Sequence, residues 1–168
     1  MPRAHYIGMG SNLGNRHGFL DDALNKMRAR WGEEPVLSSR FATPPWGMEK
    51  GNPDFINQVA CFQLDKPPLE VMQDLLAIEQ DLGRIRNPEG TGYQSRTIDL
   101  DMLVIEGVTM NEPELTLPHP RIEERRFVLE PLCELAPDLR LQSKGPTIKD
   151  LLRTCPDHSP LEKLNPIR

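Results

Sequence analysis

The chain has 168 residues, enough for one domain with a core stable on its own, and no stretch of it repeats. Lys and Arg number 20 against 25 Asp and Glu, and the net charge of -5 excludes a global field that would draw the protein to nucleic acid or to anionic lipid. No apolar run approaches the length of a membrane span, and three cysteines with no CxxC pair fit a reduced, cytoplasmic protein better than a disulfide framework or a zinc site.

His5 to Met9 is a short apolar run ending in Gly10 and reads as a strand. The turn GSNLGN follows, and Asn15 or Ser11 is placed to cap a helix whose apolar stripe is Phe19, Ala23, Leu24, Met27 and Trp31. A glycine turn before a helix can cradle phosphate or simply connect, and the pattern GxxxxGK[ST] is absent. Val36 to Phe41 reads as a second strand. The connection FATPPWGMEKGNPDFIN is then long, stiffened by Pro44 and Pro45, and carries Trp46 and Phe55 between polar Thr43 and Asn57. Such rings either cover a core or sandwich a flat heterocycle.

Asn57 to Leu64 alternates as a third strand, with Val59 and Cys61 opposite Ala60, Phe62 and Leu64. Pro67 and Pro68 open a helix to about Leu82, with a stripe of Leu69, Met72, Leu75, Leu76 and Leu82 on which Glu79 also falls. A carboxylate on a buried face needs a partner, and Arg84 or Arg86 could provide it as a structural ion pair, or Glu79 could serve as a ligand. The glycine-rich loop Asn87 to Ser95, flanked by Arg84, Arg86 and Arg96, offers a way for an acidic protein to hold triphosphate.

RTIDLDMLV, from Arg96 to Val104, organises the chain. Alternation puts Asp99 and Asp101 on one face, with Leu103 and Ile105 continuing it and Met102 and Val104 on the other, as in a central strand buried on both sides. Neighbouring carboxylates either face solvent or bind a hard cation. Beyond a turn at Gly107, the arm Asn111 to Arg126 gathers His119, Arg121, Arg125 and Arg126 as a local anion site. Phe127 to Leu135 reads as a short helix, Leu139 to Leu141 as an edge strand, and Pro146 or Thr147 as the start of a last helix. The segment after Pro156 is expected to attach loosely.

IGMGSNLGN, FATPPWG with NPDFIN, IEQDLGRIR, SRTIDLDMLV and LTLPHPRIEERRFVLEPLCELAP, in this order, resemble the 6-hydroxymethyl-7,8-dihydropterin pyrophosphokinase family over nearly the whole chain. The resemblance implies an α+β domain over 1–160, a ferredoxin-like antiparallel sheet with helices packed on it, followed by a tail over 161–168. It implies transfer of pyrophosphate from ATP to a pterin alcohol in folate synthesis, by a monomer with small-molecule substrates only. Asp99 and Asp101 match a pair that binds two Mg2+ ions, with Arg84 and Arg96 as catalytic cations. Thr43, Pro44, Pro45, Trp46, Phe55, Asn57 and Phe127 match the pterin pocket. Glu79, Arg84, Arg86, Arg96, Met102, Leu115, Thr116, His119 and Arg125 match positions around ATP, and Tyr93 stands near a family tryptophan as a ring for the nucleotide. Another two-metal nucleotidyl or phosphoryl transferase on a similar sheet, or a ligand-binding module without catalysis, would share parts of this pattern. The first would not need the loop from Thr43 to Asn57.

Overall fold

The computed structural model describes residues 1–43, 54–83 and 97–166. In chain order the elements are β1 (Arg3–Ser11), α1 (Arg16–Trp31), β2 (Val36–Leu37), β3 (Phe41–Thr43), β4 (Phe55–Leu64), α2 (Pro68–Asp81) and β5 (Asp99–Ile105). After these come β6 (Met110–Asn111), β7 (Thr116–Leu117), a 3-10 turn (Ile122–Glu124), α3 (Arg126–Leu135), α4 (Ile148–Arg153) and β8 (Glu162–Lys163). The main sheet is antiparallel with order β5-β1-β4-β3-β8, and β2 also pairs with β4. Reading β2 and β3 as one interrupted strand, the run from β1 to β5 is the ferredoxin-like arrangement expected from the sequence.

Each face of the sheet carries its own core. His5, Ile7 and Met9 of β1 point the opposite way from Ala4, Tyr6, Gly8 and Gly10, as period-two alternation requires. Ile7 and Met9 pack with Ile56, Ala60 and Phe62 of β4 against Leu20, Leu24 and Met27 of α1 and Val71, Leu75 and Ile78 of α2. Trp31 meets Phe62 edge to face, with ring centroids 4.9 Å apart. On the other face Ala4, Tyr6 and Val59 pack beneath Leu129 and Leu132 of α3 and Ile148 of α4. Asn15 caps α1 by accepting a hydrogen bond from the Gly18 N–H at 3.0 Å, and Thr147 caps α4 in a reciprocal capping box with Asp150.

Five expectations change. Among the described residues β5 is an edge strand, next to β1 alone in the sheet order, and helices and the arm cover it where a second flanking strand was expected. Its alternation also breaks: Tyr6 pairs with Val104 but Ile7 pairs with Met102, so Leu103 is an extra residue in a bulge. Met102 and Ile105 therefore join the α1–α2 core, while Leu103 and Val104 join the α3–α4 core. On α2 the buried residues are Val71, Leu75, Ile78 and Glu79, and Leu69 and Leu76 are 36% and 38% exposed, so the inward face is turned from the one the leucines suggest. Leu139 to Leu141 makes only a single bridge, Arg140 to Thr147. Finally, the chain after Pro156 is tied down, because β8 pairs with β3 in the register Phe41 to Lys163 and Ala42 to Glu162.

Candidate active site

The register of three strands builds the floor. Asp99 lies opposite Gly10, which lies opposite Asn57, and Asp101 lies opposite Gly8, which lies opposite Val59. All these positions share one face of the sheet. Because Gly8 and Gly10 contribute no side chain there, the middle strand leaves a trough with carboxylates along one bank and the β4 side chains along the other. An apolar strand that places glycine at alternate positions marks close approach by a ligand or backbone, and this was the signal by which sequence reasoning could have found both residues.

Thr43, paired with Phe55, closes the β4 bank. The Asn57 side chain is buried, and its Nδ2 donates to Thr43 Oγ1 at 2.8 Å. That bond leaves the Thr43 hydroxyl proton and Asn57 Oδ1 as a donor and an acceptor side by side. The far wall comes from the arm and from α3, with His119, Ile122, Arg125, Phe127 and Val128 on the same cleft as Gly8, Gly10, Thr43, Phe55, Asn57, Asp99 and Asp101. The Arg125 guanidinium lies 5.7 Å from the Phe127 ring centroid, within cation–π range.

A second cleft opens on the outer side of β5. It is lined by Met72, Leu75 and Leu76 of α2, by Leu100, Asp101 and Met102, and by the β7 region, Pro113 to Thr116 with His119 and Pro120. Asp101 and His119 belong to both clefts. The exposed position of Leu76 is thereby explained as part of an apolar wall rather than of the core.

His119 is fixed at this junction. Its backbone N–H donates to the Leu103 carbonyl at 2.7 Å, and its Nδ1 accepts from the Arg121 N–H at 3.2 Å. Burial and then the nearby Arg125 charge push the ring's pKa below the ordinary histidine value, against the pull of Asp99. Both effects favour the uncharged ring, and since Nδ1 is an acceptor, Nε2 carries the proton as a donor. Glu79 lines neither cleft. It is 2% exposed and accepts the Leu100 N–H at 2.8 Å, so it holds the outer edge of β5 at the residue between the two aspartates.

Of the residues expected around a site, the structure thus brings together Thr43, Phe55, Asn57, Asp99, Asp101, His119, Arg125 and Phe127 on one cleft, and Met102, Leu115 and Thr116 on the other. Pro44, Pro45, Trp46, Arg84, Arg86, Tyr93 and Arg96 lie outside the described residues. Among the described residues no group of three or more His, Cys, Asp or Glu could enclose a metal ion. Two carboxylates on one face fit a hard cation that completes its shell with substrate phosphates and water.

The family model described as 7,8-dihydro-6-hydroxymethylpterin-pyrophosphokinase (HPPK) matches residues 6–137. A 2-amino-4-hydroxy-6-hydroxymethyldihydropteridine pyrophosphokinase of Porphyromonas gingivalis is 38% identical over 144 residues, spanning 85% of this chain and 97% of its own. One of the same description from Methylorubrum extorquens is 37% identical over 153 residues, spanning 90% and 92%. Among solved structures, the wild-type Plasmodium falciparum HPPK-DHPS with pteroate superimposes with a TM-score of 0.69 at 11% identity, over 92% of this chain and 42% of that one. That likeness concerns the fold, and this chain spans less than half of the longer protein.

Proposed function

Because the chain belongs to the 7,8-dihydro-6-hydroxymethylpterin-pyrophosphokinase family, we propose that its first cleft takes the pterin and its second the adenine end of ATP, with Asp99 and Asp101 where the two substrates meet. The protein is an ATP-dependent pyrophosphokinase that transfers pyrophosphate from ATP to 6-hydroxymethyl-7,8-dihydropterin in folate biosynthesis, giving AMP and the pterin diphosphate. The observation that carries the site assignment is the sharing of Asp101 and His119 by both clefts, since the reacting atoms of two substrates must come together at one place.

In this reading Phe55 and Phe127 hold the pterin ring by its faces, and the Thr43 hydroxyl and Asn57 Oδ1 meet the amide-like edge of the ring with complementary donor and acceptor groups. Met102, Leu115 and Thr116 receive the adenine. The neutral His119, donating from Nε2, and the Arg125 guanidinium hold phosphate oxygens without adding a second buried cation at the histidine. Arg84, Arg86, Arg96 and Tyr93, with Pro44, Pro45 and Trp46 on the pterin side, keep the roles that their sequence motifs imply. Glu79 supports the site from below through Leu100.

Asp99 and Asp101 would hold two Mg2+ ions together with the ATP phosphates. Such ions, when bound, neutralise charge on the transferring oxygens and lower the proton affinity of the pterin hydroxyl. The hydroxyl oxygen forms a bond to the β-phosphorus as the bond from that phosphorus to the α,β-bridging oxygen breaks, and AMP leaves. Orientation and charge placement by these side chains supply the rate, and no side chain is assigned as an essential general base.

We place the catalytic domain at 1–160, with 161–168 as a tail that adds β8 to the edge of its sheet, in a cytoplasmic monomer. Free Cys61, Cys133 and Cys155 support a reducing compartment. Among the described residues no helix is long and apolar enough to cross a membrane.

With Mg2+, ATP and 6-hydroxymethyl-7,8-dihydropterin, the purified protein is expected to release AMP, which chromatography of the nucleotides reads directly. Release of ADP would overturn the pyrophosphoryl assignment. A second expected result concerns the floor of the trough. A Cβ at Gly10 would lie 2.9 Å from Asn57 Oδ1, which its Thr43 bond restrains, whereas the nearest atoms to one at Gly8 would be those of the Leu103 side chain at 3.2–3.3 Å. Gly10→Ala should therefore weaken pterin binding at least about tenfold, and Gly8→Ala by much less. Equal losses measured by pterin titration would argue against Asn57 as the edge reader.

A further inference from the structure

The helix α3 starts at Arg126, and the preceding Arg125 provides no side-chain cap for its first N–H groups. Those groups need acceptors. The acceptor for the first of them comes from the far end of the chain, because Asp157 Oδ2 takes the Arg126 N–H at 3.1 Å. The other oxygen of Asp157 takes the Ser159 N–H at 2.9 Å, and the Ser159 carbonyl takes Arg126 Nη1 at 3.3 Å. Burial alone would raise the Asp157 carboxyl, yet the bonds from Ser159 and Arg126 and the Arg126 charge hold it below the ordinary carboxylate range. An ionised carboxylate at a helix N-terminus is also favoured by the helix dipole.

The same segment is stitched to the sheet. β8 pairs with β3, and the Leu164 N–H donates to the Arg40 carbonyl at 2.9 Å. Lys163 Nζ meets Glu134 Oε2 at 2.9 Å, and Glu134 Oε1 takes the Ser39 N–H at 2.7 Å, so α3 is tied at its start to Asp157 and Ser159 and near its end to Ser39 and β8. Between these ties lies a small cavity, with Thr43 and Phe127 on one side and Asp157, Ser159, Pro160 and Leu161 on the other. Thr43 and Phe127 also line the first cleft, so each has the cleft on one side and the C-terminal segment on the other. The family-model match ends at residue 137, before this segment begins.

We propose that residues 157–163 form a strap that sets the position of Phe127 from behind, with Asp157 as a positioning residue for the pterin. The proposal rests on the assignment of the first cleft to the pterin. The strap touches no substrate. It acts by fixing where α3 begins, and with it the ring at the second position of the helix.

Steady-state kinetics of the full chain with ATP and 6-hydroxymethyl-7,8-dihydropterin test this. Asp157→Ala is expected to raise KM for the pterin roughly five- to tenfold, while KM for ATP and kcat stay within about twofold. In a Phe127→Ala background the same substitution should add nothing, because the ring it positions is gone. A purely structural role would give equal rises in both KM values, or additive effects of the two substitutions, and either result overturns the strap. Asp157→Asn keeps the shape and one acceptor oxygen, so it should show a smaller rise of the same kind, and it carries the test if Asp157→Ala does not fold. If Phe127→Ala alone leaves the pterin KM unchanged, the pterin assignment fails and the strap falls with it. If Phe127→Ala weakens pterin while Asp157→Ala does not, only the strap fails.

Discussion

Asp101→Ala is expected to reduce kcat/KM by at least about a thousandfold while the protein still folds, because two-metal phosphoryl transfer draws several kcal/mol from charge neutralisation at the transferring oxygens. Asp101 lies in both clefts, and Asp99 only in the first. Asp101→Ala should therefore raise KM for both substrates, and Asp99→Ala should spare ATP more than the pterin. Asp101→Asn keeps the size and an acceptor oxygen but not the charge, and it should be nearly as inactive. Thermal melting within about 5 °C of the wild type would separate this loss from unfolding, since a half-buried strand-end aspartate contributes little packing. A variant that keeps a tenth of its activity would remove the pair from the metal role.

Glu79→Ala should act first on stability. The carboxylate is 2% exposed and accepts the Leu100 N–H, so its loss strands a backbone donor on the edge of β5 and leaves a void between α2 and the strand. The cost is expected to be about 2–4 kcal/mol, a drop in Tm of roughly 5–15 °C. Glu79→Gln retains an acceptor oxygen and should lose about half as much. Activity should fall in both, since Leu100 sits between Asp99 and Asp101 and any movement of the strand edge displaces both carboxylates. Melting of Glu79→Ala at the wild-type temperature would show that this bond does not hold the strand.

Glu79 also illustrates how a residue noticed in the sequence takes its partner from the fold. Its place on an apolar helical stripe marks it as a buried charge needing a partner. Periodicity does not say whether that partner is an arginine, a ligand or a backbone N–H of the next strand, because the answer depends on which strand lies at the sheet edge. The turned face of α2 has a similar origin. Leu76 has the composition of a core residue but stands in the wall of the second cleft, where apolar surface serves a site rather than a core.

The carboxylate pair, the aromatic and polar loop around Phe55 and Asn57, the His119–Arg125 arm and the alternating strands were all legible in the amino-acid sequence, because strand and helix periods and charge spacing are local properties of the chain. The ordered motifs were enough to identify the family. Tertiary structure alone decided that a bulge at Leu103 reverses the faces of β5, that Asp101 and His119 join two clefts, and that Asp157 caps α3. Each of these depends on cross-strand register or on contacts between residues far apart in the chain. No local period carries that information, since it arises only when separate elements pack and their edges and ends find partners.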